Sequence, residues 1–501
     1  MTKYSVKDPE IRNQIPPGAQ LTDTGRYTYV YFGTTVYDKA RNKNVSGKKR
    51  YSGRIVDGKF QPNKDYAMAV KEQQEAESLR NACETTEKVV REEKLDPRDP
   101  QRVVYRMEHA LIAVWFSRFA GCTDSHAMAL YWKEHRDWFR QRLPGFPDKD
   151  ISHDTFTRLL GLLDPDKLQK VIDTVIGPLL KGLEGIRRKS ADGDHEDRVV
   201  PIDGKAIRAS RVEGRAPYAV NIWDAKNNIC LAAGMVDAKT NEVIPASSLI
   251  RHFDLAGAVV TCDALNTQRR VANSVVAARG NYCMTVKVNQ KQLHEAIGAA
   301  FAKALVREAG RRPGAQRPPS NSLLPDRKIH AGEAELAHGR IERRTCEVLP
   351  FRVLLKSLAT GWDGLEDGII ARTTTSVIVK QTGEIPTDER FFISSLSFDE
   401  DRIAERVGRI VRQHWSIENR LHHVLDVDML EDWLQSTRPT FIMNSTLLNK
   451  LVVGYLCGYQ TYLKKETGED KAPSLRLLMK ELNSPSKVLE MLGKVAPELL
   501  R

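Results

Sequence analysis

The chain has 501 residues, of which 41% are hydrophobic and 28% charged, and a formal net charge of +12. That length is more than one hydrophobic core serves, and implies about three or four structural units. The positive surplus favours a polyanionic partner, and nucleic acid leads because nothing in the sequence reads as membrane-bound. The most apolar C-terminal run, 447–463, is interrupted by Lys450 and is too short and polar to cross a bilayer. The N-terminus lacks the basic-then-apolar order of a signal peptide. The seven cysteines are scattered without a C-x-x-C pair, which argues against a zinc ribbon or a disulfide framework and for a reducing, cytoplasmic setting.

In chain order, residues 26–60 are rich in Tyr, Val and Thr with basic residues between the aromatics. Breaks at an Asn/Lys/Gly turn and at Asp57-Gly58 make them a short β-meander, either packed on its neighbours or serving as a DNA-contacting arm. Residues 66–94 read as a charged helix ended by LDPRDP at 95–100, so 1–95 form a first unit. A second unit, 96–195, is helical to about 185. Its third helix has Ser152 or Asp154 as N-cap, carries Arg158 and closes at Asp164-Pro165. Three short helices fit a helix-turn-helix DNA reader or a plain bundle equally. The basic segment 185–198 reads as a linker.

Residues 196–290 are the most informative. The spacing predicts three strands (199–203, 218–223, 229–236), a helix (245–252), a strand ending at Cys262, a helix (266–279) and a strand (282–288). This α/β succession is that of an RNase H-like core, in which three antiparallel strands precede two parallel ones joined through helices. Asp203 then lies in or at the end of the first strand and Asp263 ends the fourth, on neighbouring strands of that arrangement. A later segment, Asp399–Trp433, has apolar residues at helical spacing, with Glu418 beside the stripe and His422 one turn on.

Three converging carboxylates suit magnesium, a hard cation that prefers oxygen ligands. Two such ions roughly 4 Å apart can hold the attacking and leaving oxygens of an in-line phosphoryl substitution. Each acid also has a plain reading: Asp203-Gly204 as a turn, Asp263 as a helix cap, Glu418 as a surface residue paired with Arg412 or Arg420. His422 and His423 lack a third His or Cys at zinc-ligand spacing.

The segments VVPIDGKAIRAS, VVTCDALNTQ, GNYCMTVKVNQ, HGRIERRTCEV, FFISSL and R-x-x-W-x-I-E-N-x-L-H-x-V-L-D-V resemble DDE transposases of bacterial insertion sequences, the H-repeat-associated type. The likeness runs from about Pro97 to Arg438 and leaves the first 90 residues outside the family's usual extent. It implies that Asp203, Asp263 and Glu418 are the catalytic and metal-holding triad, served by two Mg²⁺ ions for which Mn²⁺ can substitute. Arg412 and Trp415, six and three residues before Glu418, match the basic and aromatic positions around the family's glutamate. Lys205, Arg208, Lys287, Arg412, Trp415 and His422, with Arg158, are the candidate DNA contacts. Broader transposase groups carry a Lys seven residues after the Glu, where this chain has Leu425.

Glu418 follows Asp263 by 155 residues, which implies an insertion: 291–390, mostly β, between core parts 196–290 and 391–440, with helices in 441–501. The implied activity is Mg²⁺-dependent cleavage and strand transfer at terminal inverted repeats, with target DNA and a homodimer or higher synaptic assembly as partners. A retired transposase that only binds DNA, and an RNase H-fold nuclease that cuts without joining, are the alternatives.

Overall fold

The computed structural model describes residues 4–38, 43–188, 197–211, 214–236, 243–251, 253–309, 326–337, 340–379, 387–469 and 471–500. Part of the first meander turn (39–42), most of the 185–198 linker and most of the Pro/Arg-rich loop at 311–327 lie outside the described residues. The chain divides into two compact units, Met1–Ala82 with Gln141–Gly145, and Cys83–Arg140 with Phe146–Arg501.

In the first unit a short helix α1 (Pro9–Arg12) precedes a four-stranded antiparallel sheet, β1 (Gln20–Asp23), β2 (Thr28–Asp38), β3 (Lys43–Val56) and β4 (Lys59–Pro62). The expected turn between β3 and β4 is present: Asp57 and Gly58 both have positive φ, 48° and 74°, as a tight hairpin requires. Ile11, Ile15, Ala19, Val30 and Ile55 close the core of this sheet. On it Tyr29 and Tyr31 each pack tilted against Tyr51 with ring centroids 5.8 Å apart, and the Arg54 guanidinium covers Tyr27 at 4.8 Å. Helix α2 (Lys64–Glu92) follows, as its charged, Ala-rich sequence predicts.

The second unit starts at Cys83, within α2, and continues with helices α3 (Met107–Phe119), α4 (Ser125–Arg142, up to Arg140), α5 (His153–Leu162) and α6 (Pro165–Arg188). Every residue of α3 is buried, which makes it a core helix. The partner of α3, α5 and α6 is a long C-terminal helix α12 (Pro439–Thr467), buried from Phe441 to Gly458. The apolar run at 447–463 is thus explained by burial in protein, and no helix among the described residues is long and apolar enough to cross a membrane. Helices α13 (Leu475–Glu481) and α14 (Pro485–Val495) follow and also pack on α12.

Between these helices lies one large mixed sheet. Its first part comprises β5 (Arg198–Ala206), β6 (Tyr218–Asp224), β7 (Ile229–Val236), helix α7 (Val243–Ile250), β8 (Ala258–Cys262), helix α8 (Arg269–Ala277) and β9 (Asn281–Val286). All five residues of β8 and all seven of β6 are buried, as expected of apolar runs covered on both faces. Helix α9 (Lys291–Ala309) leads to β10 (Lys328–Ala331), β11 (Glu335–Ala337), β12 (Arg340–Pro350), β13 (Ile369–Val379) and β14 (Thr387–Ser394). The strand order is β10-β12-β13-β14-β9-β8-β5-β6-β7, with β11 paired to β12. Only β5/β8 and β8/β9 are parallel among these pairings.

The β-rich stretch read as an insertion is continuous with the core. Strand β14 pairs antiparallel with β9, from Phe391↔Val286 to Ser394↔Cys283, and so extends the same sheet. Helix α10 (Ile403–His414) lies across it. Its buried Ile403, Val407 and Ile410 share one core with Val199 of β5, Val259 of β8, Cys283 of β9, Val348 of β12 and Phe392 of β14. The helical pattern over 399–433 is not one helix: α10 ends at His414, a π turn occupies Glu418–His422, and α11 (His423–Val427) follows.

Candidate metal centre

Parallel register brings the two aspartates level. Ile202 of β5 faces Cys262 of β8, so Asp203 and Asp263, each the next residue, leave adjacent strands at the same height. Asp203 is in the strand and not in a turn. Gly204 beside it is needed because a Cβ there would sit 2.1 Å from the Tyr218 ring. The Gly204 N–H donates to Asp203 Oδ1 at 2.9 Å. Asp263 closes β8, and its carboxylate accepts from the Asn266 N–H at 3.0 Å and the Asn266 amide at 3.2 Å. It does not cap α8, whose N-cap is Gln268.

Glu418 arrives on the π turn, in which the His423 N–H bonds to the Glu418 carbonyl. Such turns insert an extra residue into a helix and recur at functional sites. Asp203, Glu418 and His422 each offer a ligand atom, and these atoms lie within 4.8 Å of one another. His422 Nδ1 is 2.7 Å from Glu418 Oε2 and 3.7 Å from Asp203 Oδ2. Asp263 stands outside that trio, yet its charge, with that of Glu418, raises the Asp203 pKa.

Burial is the larger cause there: it pushes the Asp203 carboxyl up to about 6 against the opposing pull of His422 and the Gly204 N–H. Glu418 is held below its usual range, first by its hydrogen bond with His422. Next to the site, His414 Nδ1 lies 3.0 Å from Thr261 Oγ1, and burial lowers its pKa to about 4.

The remaining expected site residues fall in different places. Lys205 was expected on DNA, but it is buried. Its Nζ sits 2.6 Å from Asp426, 3.1 Å from Glu431 and 3.5 Å from Asp432, so its charge is spent inside the protein. His422 is likewise buried, against the two acids. Arg208, Lys287 and Arg158 are exposed, Arg208 with Asp432 3.6 Å away. Arg412 pairs with Glu335 at 2.7 Å, and half-exposed Trp415 lies under the Arg390 guanidinium at 5.3 Å. Both line a groove of about 840 Å³ between α10 and strands β12–β14. Leu425, at the position of the broader groups' lysine, is fully buried.

Sequence reasoning missed Asn221. It faces Asp203 across β5/β6 and its amide Nδ2 is 3.1 Å from His422 Nε2. The available signal was a lone Asn in the apolar strand YAVNIW.

The "DDE_Tnp_1-associated" family model matches residues 93–174, which include α3, α4 and α5. "H repeat-associated putative transposase YhhI" of Escherichia coli (strain K12) is 26% identical over 340 residues, 67% of this chain and 81% of the relative. The chain is a relative of the H repeat-associated transposases. "Putative protein YbfL" of the same strain gives the same identity and coverage. An uncharacterised Xanthobacter autotrophicus protein, from the dhlA 3′ region, is 27% identical over 60% of this chain and 92% of its own length. A piggyBac transposase synaptic complex with hairpin DNA aligns at 14% identity over 82% of this chain and 77% of that one; its TM-score of 0.35 is too low to support an argument. The transposase relationship thus rests on sequence.

Proposed function

We propose that this chain is an active transposase with an RNase H-like catalytic core, which cuts and joins DNA at the ends of its element with two Mg²⁺ ions on Asp203, Asp263 and Glu418. The supporting observation is that Asp203 and Asp263 leave adjacent parallel strands at the same level, and that Asp203 has a ligand atom within 4.8 Å of one on Glu418, from a π turn more than 150 residues on. The order β7-β6-β5-β8-β9, antiparallel up to β5 and parallel beyond it, is the one an RNase H-like core requires.

The donor set fits the cation. Carboxylate oxygens are the ligands hard Mg²⁺ takes, and the burial, with the lesser repulsion from Asp263 and Glu418, that raises the Asp203 pKa is offset by a dication. When bound, the ions would activate a water or 3′-hydroxyl and neutralise the leaving oxygen. The protein's share is positioning. Asp203, with its strand neighbour Gly204 holding one oxygen, keeps the other toward Glu418 and His422. Asp263 is fixed by Asn266. Terminal inverted repeats and target DNA are the substrates, and holding two ends together calls for a dimer or higher assembly.

The test is Mg²⁺-dependent cleavage of the element's ends, identified as short inverted repeats flanking the gene. Asp203→Ala, Asp263→Ala and Glu418→Ala should each abolish cutting while end binding persists; wild-type cutting by any of them would sink the assignment. Joining of pre-cut ends separates a transposase from a nuclease of the same fold.

A further inference from the structure

We propose that His422 is itself a metal ligand, so that one of the two ion positions is a mixed site of Asp203, Glu418 and an imidazole nitrogen. The inference rests on the reading of the acids as metal-holding, and adds a nitrogen donor to it. Two observations carry it. The first is that Nδ1 of His422 lies 2.7 Å from Glu418 Oε2 and 3.7 Å from Asp203 Oδ2, with ligand atoms of all three residues within 4.8 Å of one another.

The second is an unpaired atom behind the ring. Asn221 is fully buried, and its Oδ1 has no hydrogen-bond partner, while its Nδ2 is 3.1 Å from His422 Nε2. With the amide this way round, Nε2 accepts and the Nδ1–H must donate to Glu418. Amide oxygen and nitrogen are nearly isosteric, so a half-turn about the Asn221 side chain brings Oδ1 to Nε2 at the same separation. Oδ1 then accepts from Nε2–H in exchange for the long 3.4 Å bond from Nδ2 to the Ala219 carbonyl, and the Nδ1 lone pair is turned toward Asp203 and Glu418. A metal-bound histidine almost always donates its other N–H to such an acceptor, which fixes the ring's orientation and tautomer.

The chemistry that follows is a choice of metal. An imidazole nitrogen raises affinity for Mn²⁺, Co²⁺ and Zn²⁺ over Mg²⁺ relative to an all-oxygen site. A second ion held by Asp203 and Asp263 would take carboxylate oxygens from both. The two positions therefore differ in softness, and the chain discriminates between ions at one of them.

The experiment is electron spin-echo envelope modulation of Mn²⁺ bound to the full chain, with Mn²⁺ affinity measured alongside. Wild type should show ¹⁴N coupling from a directly bound imidazole. His422→Ala should lose it and bind Mn²⁺ roughly 10-fold or more weakly, and Asn221→Leu should weaken binding in the same direction. Mn²⁺ bound without ¹⁴N coupling, in a manner abolished by Asp203→Asn, overturns the histidine assignment and leaves the carboxylate site standing. Absence of any Mn²⁺ site sensitive to Asp203→Asn overturns both. The wild-type spectrum decides the matter even if a variant fails to fold.

Discussion

Lys205 Nζ lies 2.6 Å from Asp426 Oδ1, joining the strand that carries Asp203, two residues earlier, to α11, which directly follows the π turn that carries Glu418. The same ammonium reaches Glu431, whose side chain is wholly buried. It ties the strand of Asp203 to the segment that follows Glu418 across more than 200 residues of sequence.

Lys205→Met should therefore cost stability. Removing one member of a buried ion pair leaves its partner unneutralised and typically costs about 3–5 kcal/mol. Denaturant unfolding should show a loss of that order. A phosphate-contacting lysine would instead lower the salt slope of DNA binding by roughly 1 with little change in stability.

Asp203→Asn should stabilise the metal-free protein above pH 6. The folded-state pKa of Asp203, about 6, is raised above its unfolded value, so between pH 4 and 6 the unfolded chain ionises first and folding loses stability. The penalty is absent below about pH 4 and complete above pH 6, on the order of 2–3 kcal/mol. Melting at pH 7.5 should place the variant a few degrees above wild type. At pH 4 the two should coincide, and saturating Mn²⁺ should raise wild type alone. A variant that melts lower at pH 7.5 would contradict the burial argument.

Gly204→Ala should damage the centre through packing. Its Cβ would fall 2.1 Å from the Tyr218 ring, forcing β5 and β6 apart beside Asp203. Overpacking of this kind costs typically about 1–3 kcal/mol. Adding Tyr218→Leu should restore part of the stability and Mn²⁺ affinity, and a double-mutant cycle measures the coupling.

DNA binding should weaken steeply with salt. A chain with a net charge of +12 that neutralises many phosphates releases as many counterions. With 6–10 such contacts, affinity falls by about 10³–10⁵ between 50 and 200 mM salt. Titration of labelled element ends across that range checks it, and a flat response would remove charge as the basis of binding.

The order of β5 through β9 was legible because each strand is a short apolar run closed by a turn or a helix, and Asp203 and Asp263 punctuate those runs. The extension of the sheet was not, because β14 meets β9 through residues more than 100 positions apart and no local pattern encodes that partnership. Apolar spacing from Ile403 to Val424 reads as one helix, since a π turn adds a residue without breaking the apolar stripe. Lys205 looked like a surface cation because the three acids that bury it lie at 426–432. From the sequence His422 reads as a candidate DNA contact one turn from Glu418, and its burial against Asn221, on a strand distant in sequence, was not legible there.

The sheet's long-range closure also governs when the centre can exist during synthesis. Asp203 and Asp263 emerge from the ribosome while β14, α10 and the Glu418 turn are still unmade, and the acids that hold Lys205 come later still. A nascent chain, which folds from its N-terminus onward, thus has no complete ion site until about residue 432 has been added. Truncated products ending before that point would lack Glu418 or some of the acids that hold Lys205.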